Sequence, residues 1–360
     1  MFTLVEQSAA TDCKDFLFRF KNAMELEGFT TEYYGDNLSY DSIARGDKLI
    51  ISKDGNNFYF AAGINEDIFC IQTGAGDWTT FEGIGHYFYD QLDLSQPFGE
   101  HIKKYDSQAG QYPLVDVFNM NLTSSTVENF WIYKNTDDCY VVIIEYAVGL
   151  FTHFVFGGVK IFDQNRTVAQ LTTSSVKYGN SQTTPTDVYH RALFSNDLGD
   201  GQILYYNSKY YTKELSWSDD DSRTVKMYDF NSDTFIPRWS YSVEDQYPNM
   251  CIFSESWSPG INGSGSPMGR TKVKFNDKNF PIPTKIWANI RELYGNDGSM
   301  PLFEIEGFYN INFETIQPAE VLTFGTKQFI CFPHYQKNNP QDYQNDERGR
   351  GLGIALKIAD

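Results

Sequence analysis

"CYVVIIEYAVGLFTHFVFGG", residues 139–158, separates a membrane helix from a pair of buried strands. It is the strongest apolar run in the chain, yet Glu145, His153 and several glycines interrupt it. A bilayer-spanning helix needs roughly 20 predominantly apolar residues, so this run is not expected to span one. Its first part, "CYVVIIEYA", follows "ENFWIYK" across Asn135-Thr136-Asp137-Asp138, which predicts a hairpin whose return strand is apolar on both faces. "LFTHFVFG" then reads as a further strand. Strand alternation places Phe151, His153 and Val155 on one face and Thr152, Phe154 and Phe156 on the other.

On both sides of this run the same grammar recurs. "KLIISK" and "NFYFAA" flank Asp54-Gly55, a strong two-residue hairpin signal. "DIFCIQT" is a candidate strand after it. Short β runs follow in "QILYYNS" and "TVKMYDF", and later in "LFEIEGFYN", "EVLTFGT", "KQFICFPH" and "LGIALKIA". "PIPTKIWANIREL" reads as a strand or a short helix. Only the first segment carries a clear helical period: Phe16, Leu17, Phe20, Ala23 and Met24 fall on one face. Asp12 is placed to cap its start and Gly28 to close its end. Phe18 lies off that stripe, which suggests a second packed surface.

The segments that alternate glycine, polar and aromatic residues read as loops. Residues 74–112 are the longest of these. "SWSPGINGSGSPMGR" and "QKNNPQDYQNDERGRG" have loop compositions. The expected fold is therefore mainly β, sandwich-like or barrel-like, with a short N-terminal α-helix and long loops, and α+β is the alternative. The expected division is an N-terminal helix-plus-hairpin region over 1–110 and a β-rich structural domain with loop insertions over 111–360. No fixed-period repeat is present.

Composition bounds the function. The chain has 360 residues and a net charge of −18. Its 24 Tyr and 29 Phe suit half-buried pleated surfaces. The acidic balance opposes a nucleic-acid-binding surface, which needs clustered Lys and Arg. It still permits a wall along which DNA slides without sticking. The N-terminal "MFTLVEQSAATDCKDF" lacks the basic and apolar regions of a secretory signal. The five cysteines, Cys13, Cys70, Cys139, Cys251 and Cys331, are odd in number and form no CxxC pair, as expected of buried reduced thiols.

The chemical motifs are sparse. His153 has only His86, His101, His190 and His334 as possible histidine partners, and none forms an HxH or HExxH pattern. With Phe151 and Val155 beside it, His153 is expected to be a structural core residue. The acidic runs Asp137-Asp138 and Asp219-Asp220-Asp221 do not match a calcium-loop pattern. No phosphate-binding loop, GxSxG or SxxK motif occurs. The expectation is no catalytic site, no cofactor, no metal and no membrane association.

Several pieces together carry a resemblance. "MELEGFTTEYYG" and "GDKLIISKDGNNFYFAAG" come first. "FWIYKNTDDCYVVIIEYAVGLFTHFVFGGVKIFD", "FGTKQFICFPHYQKNN" and "GLGIALKI" follow. In this order they resemble virion structural proteins of tailed bacteriophages, found among neck and tail components. "EYAVGLFTHFVFGGVK" is the nearest local match, with His153, Phe156, Gly157 and Lys160 on the family pattern. Val155 stands where that pattern has Gly, and "EGF" where Trp is common.

The resemblance implies a structural virion protein, assembled in the bacterial host cytoplasm. It implies a neck, collar or tail-completion component forming a homo-oligomeric ring at the head–tail junction. Its partners would be other phage structural proteins: neck, tail-tube, sheath or portal-associated. The alternative is a baseplate, tail-tip or fibre-associated protein that contacts a receptor or glycan. Phe151, His153, Phe156, Gly157 and Lys160 are the residues expected to carry structure.

Overall fold

The computed structural model describes residues 1–36, 47–64, 82–89, 116–119, 127–161, 168–174, 176–179, 188–191, 203–206, 209–212, 227–229, 234–236, 250–254, 282–291, 297–313, 315–333 and 352–360. The first elements are β1 (Thr3–Ala10), the helix α1 (Cys13–Leu26), β2 (Thr30–Asp36), β3 (Asp47–Lys53), β4 (Asn56–Ile64), β5 (Glu82–Tyr89) and β6 (Asp116–Asn119). The central strands are β7 (Val127–Lys134), β8 (Cys139–Ala147), β9 (Leu150–Ile161), β10 (Val168–Ser174), β11 (Val176–Gly179) and β12 (Val188–Arg191). Short strands follow: β13 (Ile203–Tyr206), β14 (Lys209–Thr212), β15 (Met227–Asp229), β16 (Thr234–Ile236) and β17 (Met250–Ser254). The last are β18 (Ile282–Arg291), β19 (Asp297–Asn312), β20 (Glu320–Phe324), β21 (Lys327–Pro333) and β22 (Leu352–Ala359). The protein is thus mainly β, with one helix near its N-terminus among the described residues.

The helix ends as its sequence dictates. The Asp12 side chain accepts from the Asp15 amide at 2.8 Å, which satisfies one of the free donors of the first turn. At the other end Gly28 adopts φ +86°. The Gly28 amide donates to the Glu25 carbonyl at 3.1 Å and the Phe29 amide to the Met24 carbonyl at 3.0 Å. That pair of bonds is a Schellman stop, and its accompanying apolar residues, Met24 and Phe29, are both buried. Phe18 packs into neither neighbouring core. It is 45% exposed, with its ring tilted against that of Tyr34 at a centroid distance of 6.1 Å and Lys21 Nζ over it at 5.8 Å.

The strands form three sheets. β2 to β6 make an antiparallel five-stranded sheet in sequence order, and β11 pairs with β12. The remaining fifteen strands belong to one large sheet that curls into a half-barrel. β7, β8 and β9 are consecutive antiparallel neighbours in it, and β1 pairs along β7. β9 is long enough, at 12 residues, to pair with β8, β10 and β19. Beyond β19 the sheet runs through β22 and β21 to β20. β1 lies within residues 1–110 and its partner β7 within 111–360. β5 and β6 likewise pair across that boundary.

Side-chain alternation splits the central strands between two cores. From β8, Tyr140, Val142, Ile144 and Tyr146 enter the first core, and Cys139, Val141 and Ile143 enter the second. From β9, Phe154 and Phe156 enter the first, and Phe151, Val155, Val159 and Ile161 the second. The first core lies between this sheet face, α1 and the β3–β4 hairpin. Phe20 shows the convergence: its ring is 4.9 Å from Phe60 of β4 and 5.7 Å from both Phe154 and Phe156 of β9. The second core fills the half-barrel, where β19, β21 and β22 add Phe303, Phe308, Phe332, Ile354 and Leu356. Burying such a side chain contributes about 1.5–3 kcal/mol, so a strand buried on both faces anchors the fold twice over.

One loop expectation changes, and one open alternative is decided. Residues 74–112 include β5, which pairs with β4 from Asn57↔Tyr89 to Ile64↔Glu82. Its glycines at 83 and 85 disguise it, because glycine weakens the strand signal while leaving the ladder intact. "PIPTKIWANIREL" contributes β18, a strand rather than a helix. "DIFCIQT", "SWSPGINGSGSPMGR", Asp219 to Asp221 and residues 336–350 lie outside the described residues.

Candidate functional site

A dense set of charged and polar side chains lies where the β7–β8 turn meets four other elements. Asn135 organises it. This side chain is 3% exposed, and all its polar atoms are used. Its Oδ1 accepts from the Asp137 amide at 2.9 Å and the Cys139 amide at 3.0 Å. Its Nδ2 donates to the Glu306 carbonyl in β19 at 3.2 Å. A buried side-chain amide in place of water keeps the backbone groups on the inner side of a tight turn paired.

Glu306 is no ordinary strand residue. Before it, Phe303 and Ile305 face the half-barrel core, and after it Phe308 does. The alternation therefore slips by one residue at Glu306-Gly307, where Gly307 has φ +82°. A Cβ on Gly307 would lie 3.3 Å from the Phe2 ring, so the glycine also seats that N-terminal side chain.

β9 closes on the turn from another side. Gly157 has φ +109°, and a Cβ there would stand 2.1 Å from the Asp138 carbonyl oxygen. A Cβ on Gly158 would stand 2.4 Å from the Asp137 carbonyl oxygen. The Gly158 amide donates to the Asp138 carbonyl at 3.2 Å. Two adjacent glycines are needed because backbone packs directly on backbone.

The charges are laid over this knot. Lys160 Nζ is 2.5 Å from Asp137 Oδ1. Lys134 Nζ lies between Asp138 at 2.8 Å and Glu27 at 3.0 Å. Lys53, at the end of β3, reaches the other Asp138 oxygen at 3.2 Å and donates to the Glu27 carbonyl at 3.2 Å. That last bond sets a cation on the C-terminal end of α1, where the helix dipole favours it. Both ammonium groups also sit over rings: Lys134 is 5.7 Å from the Tyr140 centroid and Lys53 is 5.3 Å from that of Phe29.

These surroundings fix the protonation states. Partial burial alone would raise the Asp138 carboxyl, but hydrogen bonds and charge from Lys134 and Lys53 outweigh it and hold the group below its ordinary value. Desolvation alone would lower Lys134, but its bonds to Asp138 and Glu27 outweigh that and push it up. Full burial, with the Asp137 charge adding to it, pushes the Cys139 thiol up. Lys134 is thus a fixed cation, Asp138 a fixed anion and Cys139 a neutral thiol. None is poised as a base, acid or nucleophile near neutral pH. The arrangement ties helix, hairpins and sheet together.

The five residues singled out from sequence fall into three places. Gly157 and Lys160 join the knot. Phe156 enters the helix-side core, stacked on Tyr140 with centroids 5.0 Å apart and planes 15° apart. Phe151 and His153 lie on the half-barrel side. Phe151 is 6.4 Å from both Trp131 and Phe332, and His153 is wholly buried. Asp137 and Asp138, weighed above as a calcium run, are paired with lysines. Among the described residues no group of three His, Cys, Asp or Glu is placed to hold a metal ion. His86 and His190 stand in β5 and β12, while His101 and His334 lie outside the described residues. Cys13, Cys139 and Cys331 are buried and belong to no disulfide. No helix among the described residues is long and apolar enough to cross a membrane.

Sequence reading missed Asn135, Glu27, Lys53 and Lys134. The available signal was the spacing Lys-Asn-x-x-Asp at the tip of a hairpin, with a second hairpin whose first strand also ends in Lys. No protein-family model matches the chain, and no curated protein matches it.

Proposed function

We propose that this chain is a structural subunit of a tailed-bacteriophage virion, a neck, collar or tail-completion protein that assembles as a ring at the head–tail junction. The observation that carries this reading is the position of the residues that resemble that family. His153, Phe156, Gly157 and Lys160 all lie on β9, the strand that serves both cores and closes on the β7–β8 turn. The likeness is therefore one of architecture, in residues that set packing. The locked charges of the knot support the same reading, since they favour a joint over a reacting centre. Repeated identical subunits close most simply as cyclic rings, and the partners would be further copies and neighbouring neck or tail proteins.

Antibody labelling of intact particles, followed by electron microscopy, tests the reading. Label at the head–tail junction supports it. Label at the distal tip overturns it in favour of a baseplate or tail-tip protein that contacts a receptor or glycan. Particles that carry no label remove the virion assignment altogether.

A further inference from the structure

We draw no further inference here: the strongest candidate, the exposed aromatic patch of Phe18 and Tyr34 beside Lys21 where the outer face of α1 meets the edge strand β2, carries nothing because no feature of the structure shows what covers it.

Discussion

The Asp54-Gly55 turn stands in open space, whereas the Asn135–Asp138 turn is enclosed by β9, β19 and the lysines around it. Both contain residues with positive φ, Asp54 at 52° and Asp138 at 57°. Both join antiparallel strands that feed the same core. Yet a Cβ on Gly55 would meet nothing within 4 Å, while one on Gly157, which packs against the second turn, would collide with backbone. The first turn only reverses the chain. The second also bears the contact between layers, so its cost of change is set by neighbours remote in sequence.

Gly157→Ala separates the two most sharply. The new methyl meets the Asp138 carbonyl at 2.1 Å, and φ +109° disfavours any L side chain. Steric overlap and backbone strain combine, so a loss of about 4 kcal/mol or more is expected. Urea unfolding midpoints measure it. A loss below about 1 kcal/mol would mean that the turn yields freely, and the distinction between the two turns would collapse.

Asn135→Ala comes next. It leaves the buried Cys139 amide and the Glu306 carbonyl without their side-chain partner. Each orphaned buried group costs about 1–3 kcal/mol, so a total near 3 kcal/mol is expected. Hydrogen exchange offers a local readout. The Cys139 amide, and residues of β19 around Glu306, should lose protection together. Loss at Cys139 with β19 unchanged would show that Asn135 serves its own turn and does not link the two strands.

This contrast also explains what the sequence made legible. The helix was visible with both ends because caps and periodicity are local. Both hairpins were visible because their turn residues are. β1 was not: "TLVEQSAA" is largely exposed, pairs on one side with β7 and contains two register shifts, so its alternation is broken. Gly83 and Gly85 concealed β5. Phe151 and Phe156 were correctly set on opposite faces, but alternation alone does not say what covers each face. The two cores are made by α1 and β3–β4 on one side and by β19, β21 and β22 on the other, elements far away in the chain. Gly157 was picked out by resemblance, and its physical reason, a turn carbonyl that would stand 2.1 Å from any Cβ there, belongs to tertiary structure. Asn135 looked like any polar turn residue, because its buried partner, the Glu306 carbonyl, is remote in sequence.

Gly55→Ala is the matching control. Its φ of +78° is costly for alanine, but the site has room. Only the left-handed backbone penalty remains, roughly 1–2 kcal/mol. Gly55→Asn should recover part of that, since Asn tolerates this region. A Gly55→Ala loss as large as that of Gly157→Ala would show that positive φ alone governs both sites and that packing adds nothing.

The smallest effect belongs to the charges over the knot. Lys134→Met keeps most of the stem over Tyr140 and removes the ammonium between Glu27 and Asp138. Asp138 is 45% exposed and Lys134 27%, so water and salt screen the pair. The expected loss is under about 1 kcal/mol. Its pH dependence identifies its origin. Asp138 is held below its ordinary value of 3.8. Its contribution is therefore present above that value and is lost as pH falls through the lower folded one. Lys134 is held above its ordinary value of 10.5. Its contribution is full below that value and is lost as pH rises through the higher folded one. The stability difference between wild type and Lys134→Met should thus be level from about pH 5 to pH 10. It should shrink in acid, once Asp138 is protonated, and shrink at pH 7 when salt is raised to about 1 M. Urea unfolding across that pH series, at low and high salt, measures both. A difference that survives both acid and salt would arise from packing of the lysine stem on Tyr140, and the electrostatic account of the joint would be wrong.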